Sequence, residues 1–358
     1  MQLLQDTIQK IKKPDYSLAQ EAQKRLDNLT KPQGSLGRLE EIAKHMIVVT
    51  GNLWPQLKNK VIFTMAADHG VTDEGVSAYP KEVTAQMVYN FIGGGAGINV
   101  LSKHVGARVV VVDIGMAVDL KPDPKLLVKK INYGTKNMAK GPAMSKEEAI
   151  ASIEAGIEVF ENEYGKGIDI VGTGDMGIGN STSSAAIASI LTGKSVEEIA
   201  GRGTGLDDAG LSKKIAVIKK ALKINVPQPT DGLDVLAKVG GFEIGGLTGV
   251  ILAAAARKVP VVIDGFISTA AALIAYTLKP DAKEYMIAAH CSQEKGHRLM
   301  LAHMGLKPLL DLDMRLGEGT GSAIGMGIIE ASVKILTEMA TFQGAGVSER
   351  NDAKKILL

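Results

Sequence analysis

Apolar residues follow two different spacings along this chain, and the change falls near residue 59. Up to about residue 58 the spacing is helical, and Ser35 precedes one such segment as a plausible N-cap. From Lys60 onward, short β-branched runs alternate with longer helix-like segments. The candidate strands are Val61–Met65, Val109–Val112, Ile168–Val171, Val259–Ile263 and Tyr285–Ala288.

Nearly continuous apolar strands that alternate with helices are typical of a parallel sheet covered on both faces. We therefore predict an α/β fold with a Rossmann-like parallel sheet and helices on both faces, over residues 59–319. The stretch Ser322–Gly344 has a helical pattern. We expect residues 1–58 and 320–358 to form a small helical domain built from the two chain ends.

Each candidate strand is followed by small, polar or acidic residues. Because ligands in open parallel sheets bind at the carboxyl ends of the strands, these clusters should converge on one crevice. The clusters are Ala67–Gly70, Asp113–Gly115, Gly172–Asp175, Asp264–Phe266 and His290–Ser292.

The segment Gly172–Gly177 matches the pattern GxGxxG and leads toward a helix near Ser183. Asp175 lies inside it, and a negative charge there would repel the pyrophosphate of a dinucleotide. A single phosphate near Gly177, with Asp175 turned toward sugar hydroxyls, fits the residues better. The alternative is a tight strand-to-helix turn without a ligand.

A second glycine segment, Gly201–Gly205, precedes a helix that begins near Asp207 and carries Lys213 and Lys214. A lysine suits a phosphate as a point charge, so a phosphate site is one interpretation and a flexible connection before a solvated basic helix is the other. A third segment, Gly93–Gly97, is equally well explained as a break between helices.

Glu318 is flanked by Gly317 and Gly319 and stands just before an apolar, helix-patterned segment. Glycines permit unusual backbone angles and close ligand approach, so this carboxylate is a candidate catalytic base. The alternative is that Glu318 only stabilises the start of the following helix through the helix dipole.

Composition narrows the classes of partner. Lys and Arg number 41 against 39 Asp and Glu, and no dense basic tract is present, so we expect no nucleic acid partner. Cys291 is the only cysteine, which excludes an intramolecular disulfide and favours a cytoplasmic protein. No apolar run reaches the length needed to span a bilayer.

His69 has no second histidine at metal spacing, so we expect a structural histidine, no metal ion and no cofactor.

Several motifs, taken together and in order, resemble the nicotinate-nucleotide:dimethylbenzimidazole phosphoribosyltransferase family. The resemblance implies transfer of phosphoribose from nicotinate mononucleotide to 5,6-dimethylbenzimidazole or a related base. The products are nicotinate and α-ribazole 5′-phosphate, used for the lower ligand of cobalamin. It also implies a homodimer. The motifs are Lys31–Glu40 (KPQGSLGRLE), Ala67–Val71 (ADHGV), Lys238–Glu243 (KVGGFE), Asp264–Phe266 (DGF) and Arg315–Gly319 (RLGEG).

The same resemblance implies roles for individual residues. Glu318 falls on the family's proton acceptor, and Asp175 stands where relatives often have glutamate, as a supporting acid near the ribose. Two further sets follow from motif position. The nucleotide-binding set is Gly177, Asn180, Gly203, Lys214 and Ser292, and the acceptor-base set is Tyr79, Gln86, Met87 and Leu316.

Two rival functions remain open at the level of sequence. The GxGxxG pattern at Gly172 allows an NAD-dependent oxidoreductase, and the same fold allows a nucleotide-binding protein without catalysis. Adenine, benzimidazole or a phenol are alternative acceptors to dimethylbenzimidazole.

Overall fold

A computed structural model describes residues 1–348 of the chain. Strands and helices alternate from Lys60 onward, and the residues before it form helices without strands, as the sequence predicts. The helices are α1 (Gln2–Lys10), α2 (Leu18–Asp27), α3 (Arg38–Thr50), α4 (Val83–Gly93), α5 (Gly97–His104), α6 (Lys146–Tyr164), α7 (Asn180–Thr192), α8 (Val196–Ile199), α9 (Asp208–Asn225), α10 (Gly232–Val239), α11 (Phe242–Ala256), α12 (Phe266–Leu278), α13 (His297–Met304), α14 (Thr320–Glu338) and α15 (Phe342–Ala345).

Six parallel strands form the central sheet in the order β3-β2-β1-β4-β5-β6, which is the strand order of a Rossmann fold. The prediction of a Rossmann-like parallel sheet is confirmed. The strands are β1 (Lys60–Ala67), β2 (Ala107–Gly115), β3 (Leu126–Val128), β4 (Ile170–Met176), β5 (Val261–Ile263) and β6 (Met286–Ala288).

All eight residues of β1 are buried, as expected for a strand with helices over both faces. β1 pairs with β2 on one side and β4 on the other, so the chain reverses its direction of winding at β1. Sequence reasoning missed β3, because three residues with one exposed position carry too weak a pattern to separate from a loop.

The chain divides into two compact units. The larger comprises Met1–Lys13 and Leu57–Met326, and the smaller comprises Pro14–Gln56 with the described residues from Gly327 onward. The predicted boundaries differ from this division at residues 1–13, 57–58 and 320–326, which belong to the larger unit. The reason for the first difference is direct contact: the Leu4 amide donates to Glu154 of α6, and the Tyr285 hydroxyl donates to the Lys12 carbonyl.

The smaller unit has an apolar core of its own, formed by the facing sides of α2, α3 and α14. Within it, Lys31 and Glu40 form a buried ion pair at 2.8 Å. The prediction that Ser35 caps α3 is wrong. Gly37 is the N-cap, with φ at +52°, and Glu40 accepts the Leu36 amide at 3.0 Å instead.

Gly172 and Gly174 lie inside β4, which extends to Met176, so the predicted glycine loop is wrong over all of the GxGxxG pattern before Gly177. A side chain at Gly174 would overlap the Glu318 backbone, since an added Cβ would stand 2.3 Å from the Glu318 carbonyl oxygen. These glycines therefore allow another segment of protein to lie on the strand. No helix in the described part of the chain is long and apolar enough to cross a membrane.

Candidate active site

A cavity of about 340 Å³ opens at the carboxyl ends of β4, β5 and β6, in the larger unit. This is the edge of a parallel sheet where the sequence predicts that strand-end clusters converge. Of the predicted site residues, the cavity is lined by Tyr79, Asp175, Gly177, Asn180, Gly203, Ser292 and Leu316.

Gly317 lines this cavity, Glu318 and Gly319 follow it outside the lining, and all three have an unusual backbone conformation. Gly317, Glu318 and Gly319 have φ angles of +84°, +64° and +99°. Glutamate rarely adopts such a value, and strained backbone of this kind persists only where the surroundings hold it in place. Here the Thr64 hydroxyl donates to the Glu318 carbonyl at 3.0 Å, and Gly174 lets that carbonyl approach the sheet.

Asp264, which follows β5, holds the other end of the same segment. Its carboxylate accepts the backbone amides of Gly319 at 2.9 Å, Gly321 at 2.7 Å and Ser322 at 3.3 Å. These amides surround the start of α14, so Asp264 and not Glu318 satisfies the N-terminus of that helix. The alternative interpretation of Glu318, as the acid that stabilises α14, is therefore wrong.

The Glu318 side chain turns to a different helix. Its Oε2 accepts the Ile98 amide at 3.0 Å, and the carboxyl group also interacts with the Gly97 amide, both at the start of α5. The residue is only 5% exposed. Burial raises the pKa of the Glu318 carboxyl, and the nearby negative charge of Asp264 raises it further. The interactions with the Ile98 and Gly97 amides lower this pKa in part.

Asp175 is the second-last residue of β4, lies beside Gly317 and is also 5% exposed. Burial raises the pKa of its carboxyl well above the ordinary range, and the negative charges of Asp264 and Glu243 add to the effect. The Asn180 amide group donates to Asp175 Oδ2 at 3.0 Å, which lowers the pKa in part. Asp175 Oδ1 has no hydrogen-bond partner among the described residues.

Lys214 lies behind the cavity wall and not in it. It is fully buried on α9, and its ammonium group donates to the Ser181 hydroxyl at 2.9 Å. Burial lowers the pKa of Lys214 to about 8, and Glu294 opposes that shift. Lys213, the neighbour, is exposed on the same helix. The structure thus places Lys214, and not Lys213, next to the Gly203 segment.

The predicted acceptor-base residues separate into two groups. Tyr79 and Leu316 line the cavity with exposed side chains. Gln86 and Met87 lie on α4, Gln86 is exposed and Met87 half-buried, and neither lines the cavity. The structure therefore brings Tyr79 and Leu316 to the nucleotide set and leaves Gln86 and Met87 apart from it.

His69 is a buried hydrogen-bonding residue. Its Nε2 lies 2.7 Å from Glu243 Oε1 and its Nδ1 lies 3.1 Å from the Ser183 hydroxyl. Both ring nitrogens are thus engaged by protein groups, which agrees with the structural role expected from the sequence. Among residues 1–348, no group of three or more His, Cys, Asp or Glu side chains is placed to hold a metal ion.

Sequence reasoning gave no role to several cavity residues. His290 and Glu294 are buried lining residues, and Arg315 is an exposed one. His290 and Arg315 belong to segments singled out as a strand-end cluster and a motif, but their side chains carried no separate signal. Glu294 is an acid in a loop, and only the fold places it beside Gly203, whose amide it accepts at 2.9 Å.

The chain is similar to known proteins over nearly its full length. A family model described as phosphoribosyltransferase matches residues 11–347. The chain belongs to this family. The phosphoribosyltransferase is 60% identical over 353 residues to the nicotinate-nucleotide:dimethylbenzimidazole phosphoribosyltransferase of Desulforudis audaxviator, with 98% of this chain and 100% of the relative covered. It is 57% identical over 349 residues to the enzyme of that name from Geobacter sulfurreducens, with 98% and 99% covered.

Solved structures show the same relationship. The phosphoribosyltransferase superposes on the crystal structure of CobT from Thermus thermophilus with a TM-score of 0.90 at 43% identity, covering 93% of this chain and 99% of that one. A second structure, of the nicotinate-nucleotide-dimethylbenzimidazole phosphoribosyltransferase from the same organism, gives a TM-score of 0.89 at 42% identity, covering 94% and 100%. The fold is therefore shared with these two structures over more than nine-tenths of this chain.

Proposed function

We propose that this phosphoribosyltransferase moves phosphoribose from nicotinate mononucleotide to 5,6-dimethylbenzimidazole or a related base, in the assembly of the cobalamin lower ligand. Relatives that share more than half of their residues with this chain over nearly the full length carry that name. The observation that carries the proposal is Glu318, a buried carboxylate that directly follows the cavity residue Gly317 and is held by its left-handed backbone and by amides at the start of α5.

The chemistry requires one base and no acid. Nicotinate leaves C1′ as a neutral pyridine nitrogen, so the electron pair of the broken C–N bond needs no proton. The attacking azole must lose its N–H proton as its other nitrogen bonds C1′. A single carboxylate that accepts this proton completes the balance, and we propose Glu318 as this base.

The environment of Glu318 suits this role. Efficient proton transfer needs a base whose pKa approaches the working pH, and burial raises the pKa of Glu318 in that direction. The α5 amides stabilise the ionised form and aim the carboxylate, so the group remains available as a base. If azole and nicotinate occupy opposite faces of the sugar, one displacement gives inversion at the anomeric carbon, as in inverting glycoside chemistry.

The nucleotide would lie along Gly177, Asn180, Gly203 and Ser292, with Lys214 behind them. We propose that Asp175 contacts the ribose, since its free Oδ1 and its position at the end of β4 place a polar group next to Gly317. Tyr79 and Leu316 offer apolar surface for the acceptor ring. A contribution from Gln86 and Met87 requires α4 to move toward the cavity.

We also propose that the enzyme acts as a cytoplasmic homodimer, as the family resemblance implies. The proposed substrates are small molecules, and neither nucleic acid nor a cofactor takes part. Sedimentation measurements at several protein concentrations would test the dimer.

The test of the function is acceptor-dependent release of nicotinate. Purified protein is incubated with nicotinate mononucleotide alone and with dimethylbenzimidazole, benzimidazole, adenine or a phenol, and nicotinate and the nucleoside phosphate product are followed by chromatography. We expect stoichiometric release of both products only when an acceptor is present. Binding of nicotinate mononucleotide without turnover for any acceptor would instead support the non-catalytic alternative.

A further inference from the structure

The cavity wall near Gly203 contains a buried cation and a buried anion close together. Lys214 would supply the positive charge there, but Glu294 Oε1 accepts the Gly203 amide at 2.9 Å. A Cβ added to Gly203 would lie 3.0 Å from the Lys214 ammonium nitrogen, so both charged groups flank the same residue. Lys214 and Glu294 together contribute a net charge near zero, whereas a phosphate monoester carries about −1.5 to −2 at neutral pH.

A second cation lies at the same place. Arg315 lines the cavity, and its Nη1 donates to the Gly203 carbonyl at 3.3 Å. Within residues 1–348 this is the one hydrogen bond of the Arg315 guanidinium, and no carboxylate pairs with it. A guanidinium has five N–H donors in a rigid fork that matches phosphate oxygens, so most of its donor capacity remains open to a ligand.

We propose that Arg315 binds the 5′-phosphate of the nucleotide and, with Lys214, supplies the charge that this subsite needs. The proposal rests on the proposed function and adds to it a specific residue for the phosphate. The family's nucleotide set, as inferred from the sequence, contains one cation, and the structure shows that a buried glutamate stands beside it.

The other anion of the substrate is the ring carboxylate of nicotinate. The pyridine ring at C1′ carries it, whereas the phosphate is attached through C5′, so the two anions are separate and each calls for its own contact. Arg315 reaches the Gly203 segment, which Lys214 also approaches, and this position favours the phosphate over the ring. The distinction makes the proposal testable with ligands that lack one anion at a time.

The experiment measures binding by calorimetry for wild-type protein, Arg315→Gln and Arg315→Lys. The ligands are nicotinate mononucleotide, nicotinamide mononucleotide, which lacks the ring carboxylate, and nicotinate riboside, which lacks the phosphate. For Arg315→Gln we expect about a 10- to 100-fold loss of affinity for both nucleotides, the size of a lost charge-assisted contact, and an unchanged affinity for the riboside. Arg315→Lys should recover part of the loss because it keeps the charge without the planar fork.

The control is Arg298→Gln, because Arg298 is an exposed arginine that pairs with Asp311 and does not line the cavity. It should bind all three ligands as the wild type does. A loss confined to nicotinate mononucleotide would assign Arg315 to the ring carboxylate and overturn the proposal, as would unchanged affinity for both nucleotides. Wild-type protein that releases no nicotinate with any acceptor would refute the proposed function itself, which is a separate outcome.

Discussion

Two helix N-termini in the larger unit each receive a buried carboxylate, and the two carboxylates differ in a way that separates structure from chemistry. At α14, Asp264 is 1% exposed and accepts three backbone amides over both of its oxygens. Helix N-termini favour negative charge, so this arrangement stabilises the fold without leaving an oxygen for a substrate.

At α5, Glu318 makes fewer bonds. The amides of Ile98 and Gly97 bond to it, its backbone is left-handed, and burial raises its pKa. A carboxylate with spare acceptor capacity and a raised pKa is suited to accept a proton. The acid at the start of α14 thus serves the fold, whereas the acid at the start of α5 has the properties that the proposed base requires.

The largest effect expected from this contrast is on turnover by Glu318→Gln. The amide keeps the size of the side chain but cannot take a proton, so kcat should fall by about 10²- to 10⁴-fold, the usual contribution of a general base. Nicotinate release under saturating substrates is the measurement. Glu158→Gln, at an exposed residue of α6 that pairs with Lys129, serves as the control and should retain wild-type kcat. Undiminished activity of Glu318→Gln would remove it from the mechanism.

Asp264→Asn should lower the stability of the fold, because Asp264 satisfies the N-terminus of α14. An asparagine offers one acceptor oxygen, so its NH₂ group would face a backbone N–H near the start of α14, and a buried donor left unpaired costs about 1–3 kcal/mol. Urea denaturation gives the free energy of unfolding. The exposed Asp311→Asn is the matched control and should lie within about 0.5 kcal/mol of wild type. Equal stability of Asp264→Asn and wild type would contradict the structural role.

The smallest expected effect is a pH dependence of stability. The folded-state pKa of Glu318 is raised by burial, so the folded protein keeps this proton to a higher pH than the unfolded chain does. The stability linked to this proton is complete below the unfolded pKa of about 4.3 and is lost as pH rises through the folded pKa. Glutamine cannot ionise.

The free energy of unfolding of Glu318→Gln minus that of the wild type should therefore be larger at pH 7 than at pH 4, which means that the variant is relatively more stable at pH 7. Denaturation curves at the two pH values test this, and an identical difference at both would show that burial does not raise the pKa. In the wild type, kcat/KM should fall as pH decreases through the same raised pKa, because the base must be ionised to act.

Much of the fold followed from the sequence because local patterns reported it directly. Val61–Met65 and Val109–Val112 read as buried strands and lie in β1 and β2, and the segment Gly93–Gly97 contains the break between α4 and α5. The site was only partly accessible in this way. Tyr79 and Leu316 reach the cavity whereas Gln86 and Met87 of the same predicted set do not, because helix α4 turns those two away from its lining.

By itself, the sequence determined the parallel α/β architecture, the edge of the sheet where the cavity lies and the candidate base, since periodicity and glycine-flanked acids are properties of neighbouring residues. Only the tertiary structure decided what each buried charge meets. Glu318 bonds residues 220 positions away, Asp264 bonds amides 55 to 58 positions away, and Glu294 meets Gly203 across 91 positions. Such pairings arise when the fold brings together segments that are distant in the chain, and no local pattern in the chain encodes them.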